Sequence, residues 1–405
     1  VELIKATEKI IKAIPDFLKE EKGILGLLLI AAVVVGLQKL LQGPATYNSY
    51  IIFKSSFLHL YYDQNLYGGY PDEYFDEYLY SPTFSLLMAP LVFLPLWLQV
   101  ILWCCLNAVC VYAAIKLLPF NDGRKRIVIC LFILLEFITS IQNMQVAPMV
   151  GAFIIIAFTF LERGSLLKAA FFIILASFIK IYAIISVVLF LMYPKRLKFI
   201  LYISFWVVVF VLAPLAIVTP NVLTFQYHSW YNTTMLIHQS EDTGMNPNVV
   251  LPVSVMSVLK VWFNVTLPSL YIQLAGTVLL LLPLIRIKYY KILVFRILLL
   301  SSILIWSMIF NHIAESASYI VAILGVGIWY SVVKKDKLTM CFLITIFILS
   351  VLSPTSLFPS YLRRHYIEPY VLKAVPCILL WLYIQFKLLF SKFNDTPELV
   401  VSAIQ

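Results

Sequence analysis

The sequence predicts an all-α fold, a polytopic transmembrane helical bundle of about 10–13 membrane helices with interfacial helices in its first outer loop. Three observations lead there. Of 405 residues, 62% are hydrophobic and only 12% charged, with a mean hydropathy of +0.94. Soluble domains carry about a quarter charged residues, so this chain lacks the charge to cover a water-facing surface. Apolar stretches of roughly 20 residues, the length that crosses a bilayer, recur along it. Lys and Arg gather in short runs between them: Arg124-Lys125-Arg126, Lys195-Arg196-Leu197-Lys198, Arg286-Ile287-Lys288 and Lys334-Lys335-Asp336-Lys337.

Element by element, residues 1–23 set apolar residues at helical spacing among Lys and Glu without a cleavable apolar region. That pattern fits an amphipathic helix on the cytoplasmic surface and not a signal peptide. One transmembrane domain follows over 24–392, and a cytoplasmic tail over 393–405. Clear spans are expected at 24–42, 97–118, 127–142, 147–161, 199–219, 267–285, 292–310, 317–333, 338–352 and 370–390. Two stretches stay ambiguous. Residues 81–95 are short and broken by proline. Residues 166–193 are too long for one span and carry Lys180 in the middle, which reads as a broken helix or a hairpin of two short ones.

Basic runs stay on the cytoplasmic side, which puts 194–198, 286–291, 334–337 and the tail inside, and 43–80, 220–266, 310–316 and 353–369 outside. All five histidines then fall on the outer side. Counting 81–95 as a span would place Arg124-Lys125-Arg126 outside, so the parity between 81 and 168 stays open. The net charge of +10 is consumed by these short runs, which speaks against a nucleic-acid partner. The six cysteines lie in apolar stretches without metal-ligand spacing and read as packing residues; no metal site is expected, and the need for a divalent cation is left open.

The polar residues that remain are concentrated on one side. The outer segment 46–84 holds Asp63, Asp72, Glu73, Asp76 and Glu77 against a single Lys54 and is dense in tyrosine. It suits either a plain interfacial belt or a carboxylate general base beside aromatic faces that stack on a sugar. Lys180 lies in an apolar helix, where a cation is costly and points to a partner, a lipid phosphate or a carboxylate such as Glu136; snorkelling to the interface is the alternative. Gln145 sits in a polar mouth with Gln142 and Asn143. His312 belongs to FNHIAES, and Arg363, Arg364 and His365 lie on the outer side, where the planar guanidinium suits phosphate oxygens or lipid headgroups. Together these describe a site for a phosphorylated lipid at the bilayer edge. Asp76 is the expected base, with Glu73 as its orienting or metal-binding neighbour. Lys180, His312, Arg363, Arg364 and Gln145 are the expected phosphate-binding groups.

In chain order the motifs YNSYIIFKSSFLHLYYDQNLY, YLYSPTFSLLMAPLVFLP with WCCLN behind it, SIQNMQVAPMV, ASFIKIYAI and NHIAESASYIVA span about residues 46–325. Each is degenerate, but the ordered set resembles glycosyltransferase family 87, and its variant style is similar to a Bacteroidetes branch of that family. The resemblance implies a GT-C-like membrane fold in a bacterial cytoplasmic membrane. It also implies an inverting transferase that takes sugar from a polyprenyl phosphate and delivers it, on the extracytoplasmic face, to a glycolipid, polysaccharide or protein acceptor. His312 and Lys180 match the family's later-loop His and its Lys; the Pro that follows that Lys is replaced by Ile181-Tyr182. The family's loop begins with an Asp that is the expected base, and here that position holds Thr46. A later acid, Glu73 or Asp76, is then expected to take the role. Two other classes stay in view: a lipid-linked sugar transporter or flippase, which would show paired inverted repeats, and a non-catalytic membrane subunit, which the missing Asp would suit.

Overall fold

The computed structural model describes residues 20–120, 122–243 and 251–394. The helix expected over 1–23 and the tail over 393–405 lie outside these residues except at 20–23 and 393–394. The chain is helical, without a strand among the described residues. In order come α1 (Glu21–Gln42), α2 (Asn48–Tyr61), a short α3 (Pro82–Leu87), α4 (Leu96–Leu117), α5 (Gly123–Gln142), α6 (Ala147–Glu162) and α7 (Leu166–Ile179). A 3-10 segment at Ile181–Met192 follows, then α8 (Arg196–Leu212), α9 (Pro220–Thr243), α10 (Val255–Phe263), α11 (Ser269–Leu281), α12 (Leu293–Ile309), α13 (Ile320–Val332), α14 (Lys337–Ile346) and α15 (Val375–Phe390).

Among the described residues, Lys22–Gln42, Leu96–Leu117 and Arg196–Ala216 are long and apolar enough to cross a membrane alone, and eight shorter apolar helices of 10–17 residues accompany them. A helix bonds its own backbone, which is what a hydrocarbon solvent demands. α12 and α13 form the inner pair and are buried along nearly their whole length. A Cβ at Gly325 would stand 2.8 Å from the Ser301 carbonyl oxygen, so only glycine allows this approach, and the Ser301 hydroxyl donates to the Gly325 carbonyl at 2.6 Å. Small residues at such crossings let backbones close in where no hydrophobic drive separates helix from lipid.

Side-chain bonds gather the connecting segments at two ends of the bundle. At the aromatic end, the Gln226 amide donates to Gln64 O at 2.7 Å and accepts from Leu66 N at 3.0 Å, and Trp230 Nε1 donates to Leu79 O at 3.3 Å. Val253 N donates to Ala314 O at 2.7 Å, and Trp262 Nε1 to Tyr370 O at 2.8 Å. The expected outer segments 43–80, 220–266 and 310–316 are thus tied to one another, and 220–266 also reaches Tyr370, the first residue of the span expected at 370–390. At the basic end, Arg296 grips Glu162 with two bonds of 2.6 and 2.7 Å, the Tyr193 hydroxyl donates to Glu162, and Arg286 Nη1 donates to Leu388 O at 2.8 Å.

The two ambiguous stretches resolve. Residues 81–95 are not a span. α3 has six residues, Ala89–Val92 adds one turn, and Pro82, Pro90 and Pro95 interrupt the run. A continuous helix begins only at Leu96, so Arg124-Lys125-Arg126 belong to the basic end, with Lys125 in electrostatic reach of Lys335. Residues 166–193 form a hairpin. Tyr193 meets Glu162 at the basic end, and the helix breaks at Lys180, which has extended backbone at φ −137° and ψ 117°. The Ser81 hydroxyl donates to Phe178 O beside that break, so the tip carrying Lys180 reaches the aromatic end.

Candidate functional site

Docking of Ser81 on the hairpin tip determines what surrounds Lys180. Ser81 also caps α3, accepting from Phe84 N at 3.3 Å, and its carbonyl receives the Tyr78 hydroxyl at 2.8 Å. The neighbouring Tyr80 is wedged against Phe53 and Phe84, with ring centroids 5.0 and 4.7 Å away. Its ring thereby faces the ammonium of Lys180, 4.4 Å from the centroid. Burial, then the negative charges of Glu315 and Asp76, hold the Tyr80 hydroxyl well above its ordinary pKa, so it stays protonated. The Tyr182 hydroxyl lies in electrostatic reach of Lys180, Tyr80 and Glu315 and has no hydrogen-bond partner among the described residues.

A cavity of about 390 Å³ opens beside this tip. Lys180, Tyr182, Asn311 and His312 are among its polar lining residues, and Ile184, Ile185, Leu274 and Trp306 among its apolar ones. The Gln273 side-chain nitrogen lies 3.2 Å from His312 Nδ1 and orients that ring. A Cβ on Gly276 would come within 2.4 Å of the Phe310 ring, so this glycine lets α11 close against the cavity's Phe310 wall. Lys180 and His312, 132 positions apart by subtraction of their numbers, therefore face one space.

Gln145 acts through a neighbour. Trp103 Nε1 donates to Met144 O at 3.0 Å, and Met144 takes a left-handed φ of 52°, which turns the following amide toward the loop at 311–318. Gln145 Nε2 then donates to Glu315 Oε2 at 2.6 Å and its oxygen accepts from Ser318 Oγ at 3.2 Å. The same loop is pinned from behind. Lys373, 4% exposed, donates to Glu136 Oε1 and Ser316 O, both at 2.8 Å, and to Ser316 Oγ at 3.1 Å. Glu136 is therefore the partner of Lys373, not of Lys180 as its place in the sequence suggested. Its carboxylate lies inside the bundle, where Lys373 reaches it from the adjoining C-terminal segment.

The acidic loop has its own supports. Thr46, at the position where the resemblance expects an acid, turns its hydroxyl to Lys39 O and Gly43 O at 3.0 and 2.9 Å and closes the end of α1. Two residues on, Asn48 Oδ1 accepts from Phe75 N at 3.2 Å. That bond folds the segment carrying Asp76 back over the start of α2. Asp76 itself is exposed and accepts from Glu77 N at 2.9 Å. Glu73 accepts from His59 Nε2 at 3.1 Å; that imidazole is 3% exposed and stacks on Tyr70 at 3.8 Å. Burial and then the charge of Glu73 push the Tyr70 hydroxyl up.

Arg363 and Arg364 do not line the cavity. Arg363 stays within its own segment, 3.6 Å from Glu368 and donating to Thr355 O at 3.4 Å, while Arg364 is exposed at the aromatic end. Among the described residues, no three His, Cys, Asp or Glu side chains assemble as metal ligands. Sequence reasoning missed Tyr80, Glu315 and Lys373. Lys373 gave the same signal as Lys180, a lysine in an apolar span; Glu315 stood inside a quoted motif as an acid without a basic run beside it.

The model for Glycosyltransferase family 87 matches residues 78–354. Among curated proteins none matches. The matched region holds the cavity, the hairpin tip and the 311–318 loop. It covers more than half of the chain, and the chain belongs to that family.

Proposed function

We propose that this family 87 glycosyltransferase moves a sugar from a polyprenyl-phosphate donor to an acceptor hydroxyl on the extracytoplasmic side of a bacterial cytoplasmic membrane, with inversion. The observation that carries the reading is the cavity joining an apolar wall to Lys180 and His312. Ile181, Leu270 and Leu274 of that wall are 52, 57 and 53% exposed. Apolar side chains open to lipid suit sideways access for a prenyl chain, and the two basic groups suit its phosphate. The basic end faces the cytoplasm by the positive-inside bias, which turns the hairpin tip carrying Lys180 outward.

In the proposed step the acceptor oxygen attacks the anomeric carbon, and the bond from that carbon to the phosphate oxygen breaks. The electron pair leaves with the phosphate. Negative charge grows there in the transition state, and Lys180 and His312 stabilise it where preorganised donors count most. Asp76 takes the acceptor's proton. The Asn48–Phe75 bond, which brings its segment over the start of α2 next to the Thr46 position, supports that choice. Glu73, held by His59, completes the acidic rim. Arg364, exposed at the same end, suits anionic headgroups of lipid or glycolipid acceptors. The acceptor itself is a glycolipid, a polysaccharide or a protein.

The test is transfer by the purified full chain in nanodiscs, from radiolabelled polyprenyl-phosphate sugars to hydroxyl acceptors. Product that depends on Lys180 supports the reading. Donor binding without transfer to any acceptor, together with passage of donor across sealed vesicles, would favour a flippase instead.

A further inference from the structure

The proposed function leaves one immobilised carboxylate without a role. Glu315 is exposed, yet its carboxylate is bonded to a buried side chain. Gln145 fixes its Oε2 at 2.6 Å, Ser318 fixes Gln145, and Lys373 fixes the next residue, Ser316, through its carbonyl and hydroxyl. Lys373 in turn rests on Glu136, which is fully buried. Holding a solvent-facing side chain in one place costs conformational entropy, and a supporting shell of this kind is how a binding group is preorganised. Glu315 Oε1 takes no bond from the described residues, so one oxygen of a fixed carboxylate stays open.

Its neighbours say what that oxygen meets. Glu315 stands outside the cavity lining, at its margin: three residues back along the same loop His312 lines the cavity, with Asn311 and Ile313 beside it. The charge of Glu315 also reaches the hydroxyls of Tyr80 and Tyr182, the two rings beside Lys180. A phosphate has no proton to offer a carboxylate at neutral pH and is repelled by it. A sugar offers several hydroxyl protons and no charge. A carboxylate beside a phosphate site, but not part of it, therefore matches the polyol carried on the phosphate.

We infer that Glu315, positioned by Gln145, recognises the transferred sugar by accepting its hydroxyl protons, and so takes part in donor selection. The inference rests on the reading of the cavity as a lipid-phosphate site. It assigns Glu315 to donor binding and leaves the acceptor's proton to the acidic rim.

Two ligand classes separate the two layers of the argument: farnesyl phosphate alone, and farnesyl phosphate carrying mannose, glucose, galactose or arabinose. Each is titrated into the full chain in nanodiscs. In the wild type, at least one glycosylated ligand should bind about tenfold or more tighter than farnesyl phosphate, the gain expected of a hydrogen bond to a charged group. Glu315→Gln and Gln145→Leu should each erase most of that gain without weakening farnesyl phosphate binding, which Glu315→Gln should hold or tighten as a like charge is removed. Restoring the carboxylate as Glu315→Asp should recover part of it. Absence of a sugar-dependent gain in the wild type, or a gain that survives Glu315→Gln, overturns the inference. So does loss of transfer by Glu315→Gln with the gain intact, which would make it a proton acceptor. Failure of farnesyl phosphate to bind, or binding indifferent to Lys180→Met, instead overturns the lipid-phosphate reading beneath it.

Discussion

The ammonium of Lys180 stands 4.4 Å from the centre of the Tyr80 ring, at the point where the first loop docks on the tip of the 166–193 hairpin. The contact joins two parts of the chain that carry different chemistry. It is also maintained by a backbone bond, from the Ser81 hydroxyl to Phe178 O, and not by the two side chains alone. The ring therefore acts as a rest for the cation while its charge faces the cavity.

That arrangement makes the first prediction. Lys180→Met should lower kcat for transfer by about 10²–10³-fold, the loss typical of removing one preorganised group that stabilises transition-state charge. Tyr80→Leu removes only the rest and should cost about 0.5–2 kcal/mol of the Lys180 contribution; Tyr80→Phe keeps the ring and should stay near wild type. Steady-state transfer assays check all three, and a Lys180→Met enzyme at wild-type rate would remove the lysine from the mechanism.

The second prediction concerns the buried pair of Lys373 and Glu136. Removing one partner of a buried ion pair leaves an uncompensated charge and costs about 3–5 kcal/mol, whereas replacing both with apolar groups of similar size is often close to neutral. Lys373→Met should therefore lower the melting temperature more than the Glu136→Leu/Lys373→Met double variant. If the double variant keeps its stability but loses transfer, the pair matters through the loop it pins at Ser316. Thermal melts in detergent and transfer rates, measured on the same samples, separate the two.

How far the sequence led can be judged on these residues. The helical bundle was legible because lipid demands long apolar runs, and the basic runs were legible because they are local. The pairing of Lys180 and His312 on one cavity followed from a shared side of the membrane. The partner of Glu136 did not: two lysines interrupt apolar spans, and only packing decides that Lys373 turns inward while Lys180 sits at a hairpin tip. Arg363 was expected at a phosphate, yet Glu368, five residues on, stands opposite it within the same segment. Glu315 escaped because its meaning depends on Gln145, 170 positions away.

The third prediction is topological. The bonds from Gln226 to Gln64 and Leu66 tie α9 to the first loop, and Lys125 stands near Lys335 at the other end. Single cysteines are introduced at Asp72 and Lys334 in a chain whose six native cysteines are replaced; with an impermeant maleimide the first should label in intact cells and the second only after permeabilisation. Asp72 should react outside. Labelling of both from one side would invert or discard the assignment of the two ends.

The last prediction names the base. A general base must come within about 2.6–3.2 Å of the acceptor hydroxyl in the productive pose. Thr46 cannot supply it, since its hydroxyl carries no useful basicity and is spent on Lys39 O and Gly43 O. Asp76 is exposed, lies on a segment held to the start of α2 by Asn48, and its charge reaches the Tyr80 hydroxyl beside Lys180. Glu73 is already engaged by His59 and is more suited to shaping the rim. Asp76→Asn should therefore fold, bind donor as the wild type does, and lose about 10²–10⁴-fold in kcat, the usual contribution of general-base catalysis. Glu73→Gln should lose far less. Asn48→Ala supplies an independent arm, because releasing Phe75 should lower kcat while the Asp76 carboxylate itself is kept. Should Asp76→Asn turn over at the wild-type rate, the proton is taken elsewhere and the assignment of Asp76 ends.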